Sequence, residues 1–210
     1  MFIVFEGIDG SGKTTIIEKL KKFLPEYFKN KQFVFTREPG GTNLKEAEQI
    51  RAILLEKQND IDSFSEAILF MAARRMHLNK VIWPALEQNK IVICDRFVDS
   101  SIAYQGAGKN IGVEKIAKLN DLIVESTYPD YTFYLQTSVH LSKERLNKNR
   151  VAEDRIENNN DDFFEKIVKC YDELFLKNKD RYILINSNNS IDVVYAEVKK
   201  EIVKIIEKAN

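Results

Sequence analysis

The sequence has few of the features that mark a secreted, membrane-spanning or nucleic-acid-binding protein. Only two of its 210 residues are cysteines, too few for a disulfide framework, and they form no C-x-x-C pair. Its 32 basic residues balance 32 acidic ones, so no broad electrostatic attraction to nucleic acid or membranes is expected. No apolar run approaches the length that spans a bilayer, and no signal peptide is visible. We therefore expect a cytoplasmic protein whose anion-binding sites are local.

The residues that are present describe a folded α/β domain. Hydrophobic residues make up 44% and charged residues 30% of the chain, which is enough apolar material for a core. Short apolar segments alternate with segments of helical periodicity, which predicts a five-stranded parallel sheet with helices on both faces. The predicted strands are residues 1–5, 33–37, 91–95, 131–135 and 182–186. The predicted helices are residues 14–24, 43–56, 64–86, 112–126, 141–149, 161–178 and 191–208. Without an internal repeat or a linker, residues 1–210 are expected to form one domain.

The first strand leads into a phosphate-binding motif. Residues 7–14 read G-I-D-G-S-G-K-T, which matches the P-loop pattern G-x-x-x-x-G-K-[ST] throughout. The glycines let backbone N–H groups face phosphate oxygens, Lys13 adds positive charge near the β/γ-phosphates, and the Thr14 hydroxyl can ligate Mg²⁺. The strand before it and the helix after it argue against a chance glycine-rich turn. The predicted ATP-binding residues of this segment are Gly7, Ile8, Asp9, Gly10, Ser11, Gly12, Lys13, Thr14 and Thr15.

A second charged motif follows the third predicted strand. Asp95 ends this strand and Arg96 comes directly after it. P-loop enzymes keep a carboxylate that holds Mg²⁺ or its waters at such a place, and a planar arginine fork suits a second phosphate. The alternative interpretation of Asp95 and Arg96 is an ordinary ion pair at a strand end. Phosphate or base contacts are also predicted for Arg37, Arg51, Arg74, Arg150 and Arg155. Arg75, Arg145 and Arg181 are interpreted as surface or capping residues.

Four segments, taken in order, resemble one enzyme family. They are residues 5–14 (F-E-G-I-D-G-S-G-K-T), 36–42 (T-R-E-P-G-G-T), 95–106 (D-R-F-V-D-S-S-I-A-Y-Q-G) and 154–157 (D-R-I-E). Together they resemble the thymidylate kinases of the bacterial type, and the second and third segments are far more specific than a P-loop alone. The resemblance implies the P-loop kinase fold and transfer of the γ-phosphoryl group of ATP to dTMP, giving dTDP for dTTP synthesis. It also implies Mg²⁺ as the cofactor.

The resemblance further implies roles for individual residues. The implied catalytic residues are Lys13, Arg96, Arg150 and Asp9, and the implied metal-site residues are Thr14, Asp95 and Asp9. The implied dTMP-binding residues are Asp9, Arg37, Glu38, Pro39, Arg51, Phe70, Arg74, Arg96, Ser100, Ser101, Tyr104 and Gln105. Within this set Phe70 would stack on thymine, and Arg74, Ser101 and Gln105 would hydrogen-bond the base. Tyr104 would lie against the sugar and disfavour a ribose 2′-OH.

Helical spacing supports the predicted base pocket. Phe70 and Arg74 are four residues apart on a predicted helix and therefore share a face. An aromatic ring with an arginine one turn away can stack on a base and hydrogen-bond its edge. Core packing alone explains Phe70 but gives no reason for Arg74. Because a pocket that senses one methyl group discriminates only about 10–200-fold, dUMP is expected to remain a weak substrate.

A lid over about residues 147–161 is predicted to complete the site. Phosphoryl transfer needs positive charge at the migrating group, and P-loop positions 8–11 contain no arginine. The bacterial type supplies this arginine from a mobile lid, so the resemblance assigns it to Arg150, with Arg155 second. The alternative interpretation of Arg150 and Arg155 is that they belong to a charged loop exposed to solvent. One departure from the family pattern is Gln136, which stands where an aspartate is more usual.

The helix predicted over Phe64–Leu86 has more apolar residues than one amphipathic stripe needs. It is either a central core helix or one whose second apolar face meets another subunit, which would give a homodimer. Two other functions are alternatives to dTMP phosphorylation. Another P-loop nucleotide or deoxynucleoside kinase is the nearer alternative. A nucleotide-dependent switch is less favoured, because the sequence has no guanine-reading N-K-x-D motif.

Overall fold

A five-stranded parallel sheet forms the centre of the protein. The computed structural model describes residues 1–41, 44–149 and 161–208. The strands are β1 (Phe2–Glu6), β2 (Phe33–Arg37), β3 (Ile91–Asp95), β4 (Tyr131–Gln136) and β5 (Tyr182–Asn186). Their order is β2-β3-β1-β4-β5, and every neighbouring pair is parallel. The predicted fold class is confirmed.

Helices connect the strands. They are α1 (Lys13–Tyr27), α2 (Lys45–Leu55), α3 (Ser63–His77), α4 (Trp83–Glu87), α5 (Val98–Ser101), α6 (Val113–Val124), α7 (Val139–Asn149), α8 (Asp161–Lys177) and α9 (Ile191–Lys208). Two π-helical segments, Leu78–Ile82 and Ile102–Gly108, follow α3 and α5 directly. None of the helices in the described ranges combines the length and apolarity needed to cross a bilayer.

The alternation of side chains along the strands divides the core into two layers. Ile3 and Phe5 of β1 point to the layer that α1 and α9 cover. Phe2 and Val4 point to the other layer, which contains residues of α3, α6 and α8. In the first layer Phe5 stacks on Phe133 of β4, with ring centroids 4.9 Å apart. Both faces of the sheet are therefore covered, as expected for a parallel sheet.

The parallel register brings the strand ends that carry the sequence motifs to one edge. Asp95 at the end of β3 lies opposite Phe5 of β1 and Arg37 of β2. The backbone continues this pairing, since Arg96 N donates to Phe5 O and Glu38 N donates to Asp95 O, both at 2.9 Å. The P-loop after β1 is thus flanked by the segments that follow β2 and β3. Ligands of open α/β sheets bind at this edge.

Prediction and structure differ most in the helices beside the site. Three strands, 33–37, 91–95 and 182–186, and the last helix, 191–208, have their predicted bounds. The single helix predicted over Phe64–Leu86 is wrong in detail, because a π-helical segment interrupts it at Leu78–Ile82. The helical run over 98–108 was not predicted. Its residues are buried except Ala107, so no amphipathic pattern marks it.

Candidate active site

A cavity of about 930 Å³ opens at the carboxyl edge of the sheet and collects most of the predicted site residues. From the P-loop and α1 it is lined by Asp9, Gly10, Gly12, Lys13, Thr14 and Thr15. From β2, α2 and α3 it is lined by Arg37, Glu38, Pro39, Arg51, Phe70 and Arg74. From the end of β3 and the helical run after it come Asp95, Arg96, Ser100, Ser101, Tyr104 and Gln105. Gly7, Ile8 and Ser11 belong to the same loop but do not line the cavity. Arg150 and Arg155 lie outside the described residues.

The P-loop is pressed against the end of β4 and against α7, which explains two of its glycines. Gly7 has a φ of 143°, and a Cβ there would come within 2.7 Å of Leu135 O. Gly10 has a φ of 73°, and a Cβ there would come within 2.6 Å of Ser142 O. Ser142 also donates to Asp9 O at 2.5 Å. Only glycine fits both the backbone conformation and this close approach.

Lys13 folds back over its own loop. Its Nζ donates to Gly7 O and Ile8 O, both at 2.9 Å. Burial, together with the neighbouring Arg96 guanidinium, lowers the pKa of the Lys13 ammonium to about 8, although Asp95 and Asp9 act in the opposite direction. An anion held by the loop would favour the charged form. The loop thus holds a cation whose charge a bound phosphate would favour.

Asp9 and Arg96 form a partly buried ion pair at the cavity wall. Arg96 Nη2 donates to Asp9 Oδ1 at 2.5 Å, and the Tyr104 hydroxyl donates to Asp9 Oδ2 at 2.8 Å. Burial alone would raise the pKa of Asp9, but the charges of Arg96 and Lys13 outweigh it and lower this pKa to about 2. Asp9 is therefore a carboxylate at neutral pH and holds the Arg96 guanidinium in one place.

Glu6 supports Arg96 from beneath the cavity. It is fully buried at the end of β1, where it accepts hydrogen bonds from Phe97 N (2.8 Å), Ser100 Oγ (2.6 Å) and the Tyr171 hydroxyl (2.9 Å). Ser100 Oγ in turn accepts from Arg96 Nη1 at 3.1 Å. Burial and the nearby Asp99 charge raise the pKa of Glu6 to about 7. Glu6 was not predicted as a site residue, because its role depends on residues far along the chain.

Hydrogen bonds from two arginines join the end of β2 and the segment after it to α2. Arg37 makes a bidentate pair with Glu48, with Nη1 at 2.9 Å from Oε1 and Nη2 at 3.0 Å from Oε2. Arg51 Nη1 donates to Pro39 O at 2.9 Å. Both arginines line the cavity, but an incoming anion would share the Arg37 guanidinium with Glu48.

Arg74 is one of the most enclosed of the predicted contact residues. Its side chain is 2% exposed and donates through Nε to Glu38 Oε2 at 2.7 Å. The remaining nitrogens donate to Ser101 Oγ, Phe97 O and Asn120 Oδ1. A guanidinium with this many partners is fixed in position. Phe70, one turn before it on α3, is partly buried against the core and lines the same cavity.

Thr14 and Asp95 form an arrangement that fits a divalent cation. The Thr14 hydroxyl donates to Asp95 Oδ2 at 3.0 Å. The other oxygen, Asp95 Oδ1, is buried and has no hydrogen-bond partner among the described residues. A buried carboxylate oxygen without a partner is costly, and hard oxygen donors are those that Mg²⁺ prefers. Within the described ranges no cluster of three or more acidic, histidine or cysteine side chains forms a self-sufficient metal site, so phosphate oxygens and water would complete the coordination.

Several residues in and around the cavity have contacts that the sequence did not indicate. Arg145, interpreted as a surface or capping residue, lines the cavity and donates to Asn189 O at 2.9 Å and to Gly10 O at 3.4 Å. Arg181 is a partner of buried Asp99, at 3.2 Å. Gln136 Nε2 donates to Asp172 Oδ1 at 2.7 Å, so it has a structural partner. Ser190 and Ile191, which follow β5, also line the cavity and were not predicted as site residues. The one signal available for Arg145 was its place just before the predicted lid.

The fold and the cavity together define a class of protein. A P-loop follows the central strand β1, an aspartate and an arginine end the neighbouring strand, and further arginines face the same cavity. This combination is that of the P-loop nucleotide kinases.

Comparisons with known proteins narrow the class to one family. The thymidylate kinase family model matches residues 5–198. The chain is 46% identical to a thymidylate kinase of Mycoplasma mobile over 210 residues, covering 99% of this chain and 100% of that protein. It is 47% identical to a thymidylate kinase of Mesomycoplasma hyopneumoniae over 198 residues, covering 92% of each chain. The crystal structure of a thymidylate kinase from Ehrlichia chaffeensis matches with a TM-score of 0.78 at 40% identity, over 96% of this chain and 97% of that one. The chain belongs to the thymidylate kinase family.

The raised pKa of Glu6 predicts how stability depends on pH. The folded-state pKa of about 7 lies above the ordinary value of 4.5, so its contribution to stability is complete below pH 4.5 and is lost as pH rises through about 7. Glu6→Gln has no such titration. Wild type should therefore lose on the order of 2–3 kcal/mol relative to Glu6→Gln between pH 4.5 and pH 8. Urea unfolding of both proteins across this range measures the difference. The exposed Glu26→Gln is the control, and a difference that does not change with pH would contradict the prediction.

Proposed function

We propose that this protein transfers the γ-phosphoryl group of ATP to dTMP, producing dTDP and ADP as a step in dTTP synthesis. The observation that carries the proposal is the cavity itself, which joins the P-loop to the pocket containing Phe70, Arg74 and Gln105. A triphosphate at Lys13 and a monophosphate whose base reaches Phe70 would have their phosphates near Arg96. Membership of the thymidylate kinase family supports dTMP as the acceptor.

The donor side would be formed by the P-loop. Backbone N–H groups of residues 7–15 would bind the ATP phosphates, and Lys13 would leave Gly7 O and Ile8 O to neutralise the transferring group. Mg²⁺ would be held by Thr14 and by Asp95, directly or through water, with Asp9 nearby. The ion would supply charge neutralisation between the β- and γ-phosphates. The unpaired Asp95 Oδ1 supports this assignment.

The acceptor side would be formed by residues from about 37 to 75 and by the run after β3. Arg37, Arg51 and Arg96 would surround the dTMP phosphate, and Glu38 and Pro39 would bound that pocket. Tyr104 would lie against the deoxyribose and Asp9 near its 3′-OH, with Ser100 supporting Arg96. Phe70 would stack on thymine while Arg74, Ser101 and Gln105 hydrogen-bond its edge. The rigid support of Arg96 and Arg74 would keep these contacts oriented before the substrate arrives.

We further propose a lid, a homodimer and a location. The lid would span about residues 147–161 of a single-domain chain. Arg150 would reach the transferring phosphate, and Arg155 is the second candidate for this role.

A homodimer would form through α3 and the segment after it, because Phe64, Ile68 and Met76 are apolar residues at least 36% exposed. The cytoplasm is the proposed location, since both cysteines are unpaired and buried.

A panel of acceptors tests the proposed reaction. We expect ADP release with ATP and Mg²⁺ to be fastest with dTMP, weaker by about 10–200-fold with dUMP because one methyl group separates them, and weaker still with dCMP, AMP, GMP and thymidine. A coupled ADP assay at equal acceptor concentrations measures this order. Fastest turnover with thymidine would favour a nucleoside kinase. Hydrolysis that no acceptor stimulates would favour a switch.

The proposed metal site predicts the effect of Asp95→Asn. Replacing the carboxylate removes the charged oxygen, so the Mg²⁺ concentration that gives half-maximal rate should rise by about 10–100-fold. A Mg²⁺ titration of dTMP-dependent ADP release measures it, with the exposed Asp180→Asn as the matched control. An unchanged Mg²⁺ requirement would remove Asp95 from the metal site.

The proposed lid arginine predicts the effect of Arg150→Ala. Losing a charge that acts on the transferring phosphoryl group should lower kcat by about 10³–10⁵-fold, while the affinity for dTMP changes little. Steady-state kinetics and dTMP titration measure the two quantities separately. Lys148→Ala is the control, because Lys148 pairs with Glu144 of its own helix at 2.5 Å. A normal kcat would contradict the assignment.

A further inference from the structure

Three residues of α3 share the face of the helix that borders the proposed base pocket. Glu66, Phe70 and Arg74 are spaced four residues apart, so they follow one another along that face. Glu66 is 1% exposed, and its Oε1 accepts a hydrogen bond from Gln105 Nε2 at 3.0 Å. Gln105 is itself 2% exposed and lines the cavity with Phe70 and Arg74.

The partner of Gln105 determines which way its amide faces. A carboxylate only accepts hydrogen bonds, whereas an amide has an NH₂ donor on one side and an oxygen acceptor on the other. Glu66 therefore accepts a hydrogen bond from the NH₂ group of Gln105. The amide oxygen of Gln105, Oε1, is left to accept from another donor. None of the described residues donates to Gln105 Oε1. An acceptor is thus presented close to the fixed donors of Arg74.

We infer that Glu66 is a positioning residue for base specificity: it holds Gln105 with the amide oxygen toward the base, and this orientation makes the pocket accept thymine and reject cytosine. The inference rests on the proposed function and adds a residue that the sequence motifs did not include. Glu66 itself would not contact the substrate. It would act only through the orientation of Gln105.

The chemistry of the bases gives the direction of the effect. Thymine presents a carbonyl oxygen at C4 and an N–H at N3. The N–H would complement the Gln105 acceptor, and the carbonyl oxygen would complement an Arg74 N–H that leaves its present acceptor, such as Ser101 Oγ. Cytosine presents an amino group at C4 and a lone pair at N3, so donor would face donor and acceptor would face acceptor. Uracil has the same edge as thymine and lacks only the methyl group. A site whose buried polar groups are left unpaired rejects a ligand far more strongly than a pocket missing one methyl contact.

Glu66→Gln tests the inference because its amide can face Gln105 with either group. The amide of Gln105 would then turn freely, and its NH₂ could pair with N3 of cytosine. We expect the ratio of kcat/KM for dTMP to kcat/KM for dCMP to fall by about 10–100-fold. The ratio for dTMP to dUMP should stay unchanged, because both present the same edge. Glu114→Gln, an exposed substitution of the same kind on α6, should change neither ratio.

A second variant keeps the test decisive if Glu66→Gln fails to fold. The exchange Glu66→Gln with Gln105→Glu conserves charge, and Gln at 66 can donate to the new carboxylate at 105, whose other oxygen again faces the base. This double variant should recover most of the rejection of dCMP. Circular dichroism and urea unfolding establish that each variant is folded before its kinetics are compared.

The outcomes separate this inference from the proposed function. Wild-type protein without dTMP-dependent activity would overturn both. Active wild type with a Glu66→Gln variant in which all three substrates lose kcat/KM equally would overturn only the positioning role, since a merely structural defect has that result. An exchange variant that is folded but still accepts dCMP would also overturn it.

Discussion

The turn at Arg96 is the constraint on which the rest of the site depends. Arg96 has a φ of 69°, a left-handed conformation that costs a residue with a side chain about 1–2 kcal/mol. Glu6 offsets this cost by accepting from Phe97 N and Ser100 N in the turn and from the Ser100 and Tyr171 hydroxyls, and such hydrogen bonds contribute about 0.5–1.5 kcal/mol each. A polar side chain buried in β1 thereby determines where the chain goes after β3.

The same turn sets the electrostatics of the cavity. Arg96 offsets the charge of Asp9, which would otherwise be costly to bury, and it lowers the pKa of Lys13 by like-charge repulsion. Lys13 and Arg96 thus place two positive charges beside the P-loop, with the carboxyl groups of Asp9 and Asp95 next to them. Polyphosphate would relieve the repulsion between the cations, and this accounts for an anion site in a chain whose net charge is zero.

The proposed base pocket depends on buried polar pairs of a different kind. Arg74 and Gln105 are both 2% exposed, and acidic partners, Glu38 and Glu66, hold them. Gln105 sits in a π-helical segment, whose backbone bonds include Lys109 N to Tyr104 O at 2.9 Å. Such segments are frequent at functional sites. Here the segment brings Tyr104 to Asp9 and Gln105 to Glu66, so the proposed sugar and base regions are fixed by one stretch of chain.

Much of the fold and of the candidate site followed from the sequence alone, because the signals were local. The apolar runs over 33–37, 91–95 and 182–186 became strands with those bounds, and the P-loop and the Asp95–Arg96 pair appeared at strand ends, where the alternation of strands and helices had put them. The tertiary structure alone decided which side chains support these motifs. Glu6 meets Tyr171 across 165 positions, and Glu66 meets Gln105 across 39. No periodicity or spacing encodes such pairs, since they exist only when burial removes water and each polar group must find its partner in the folded chain.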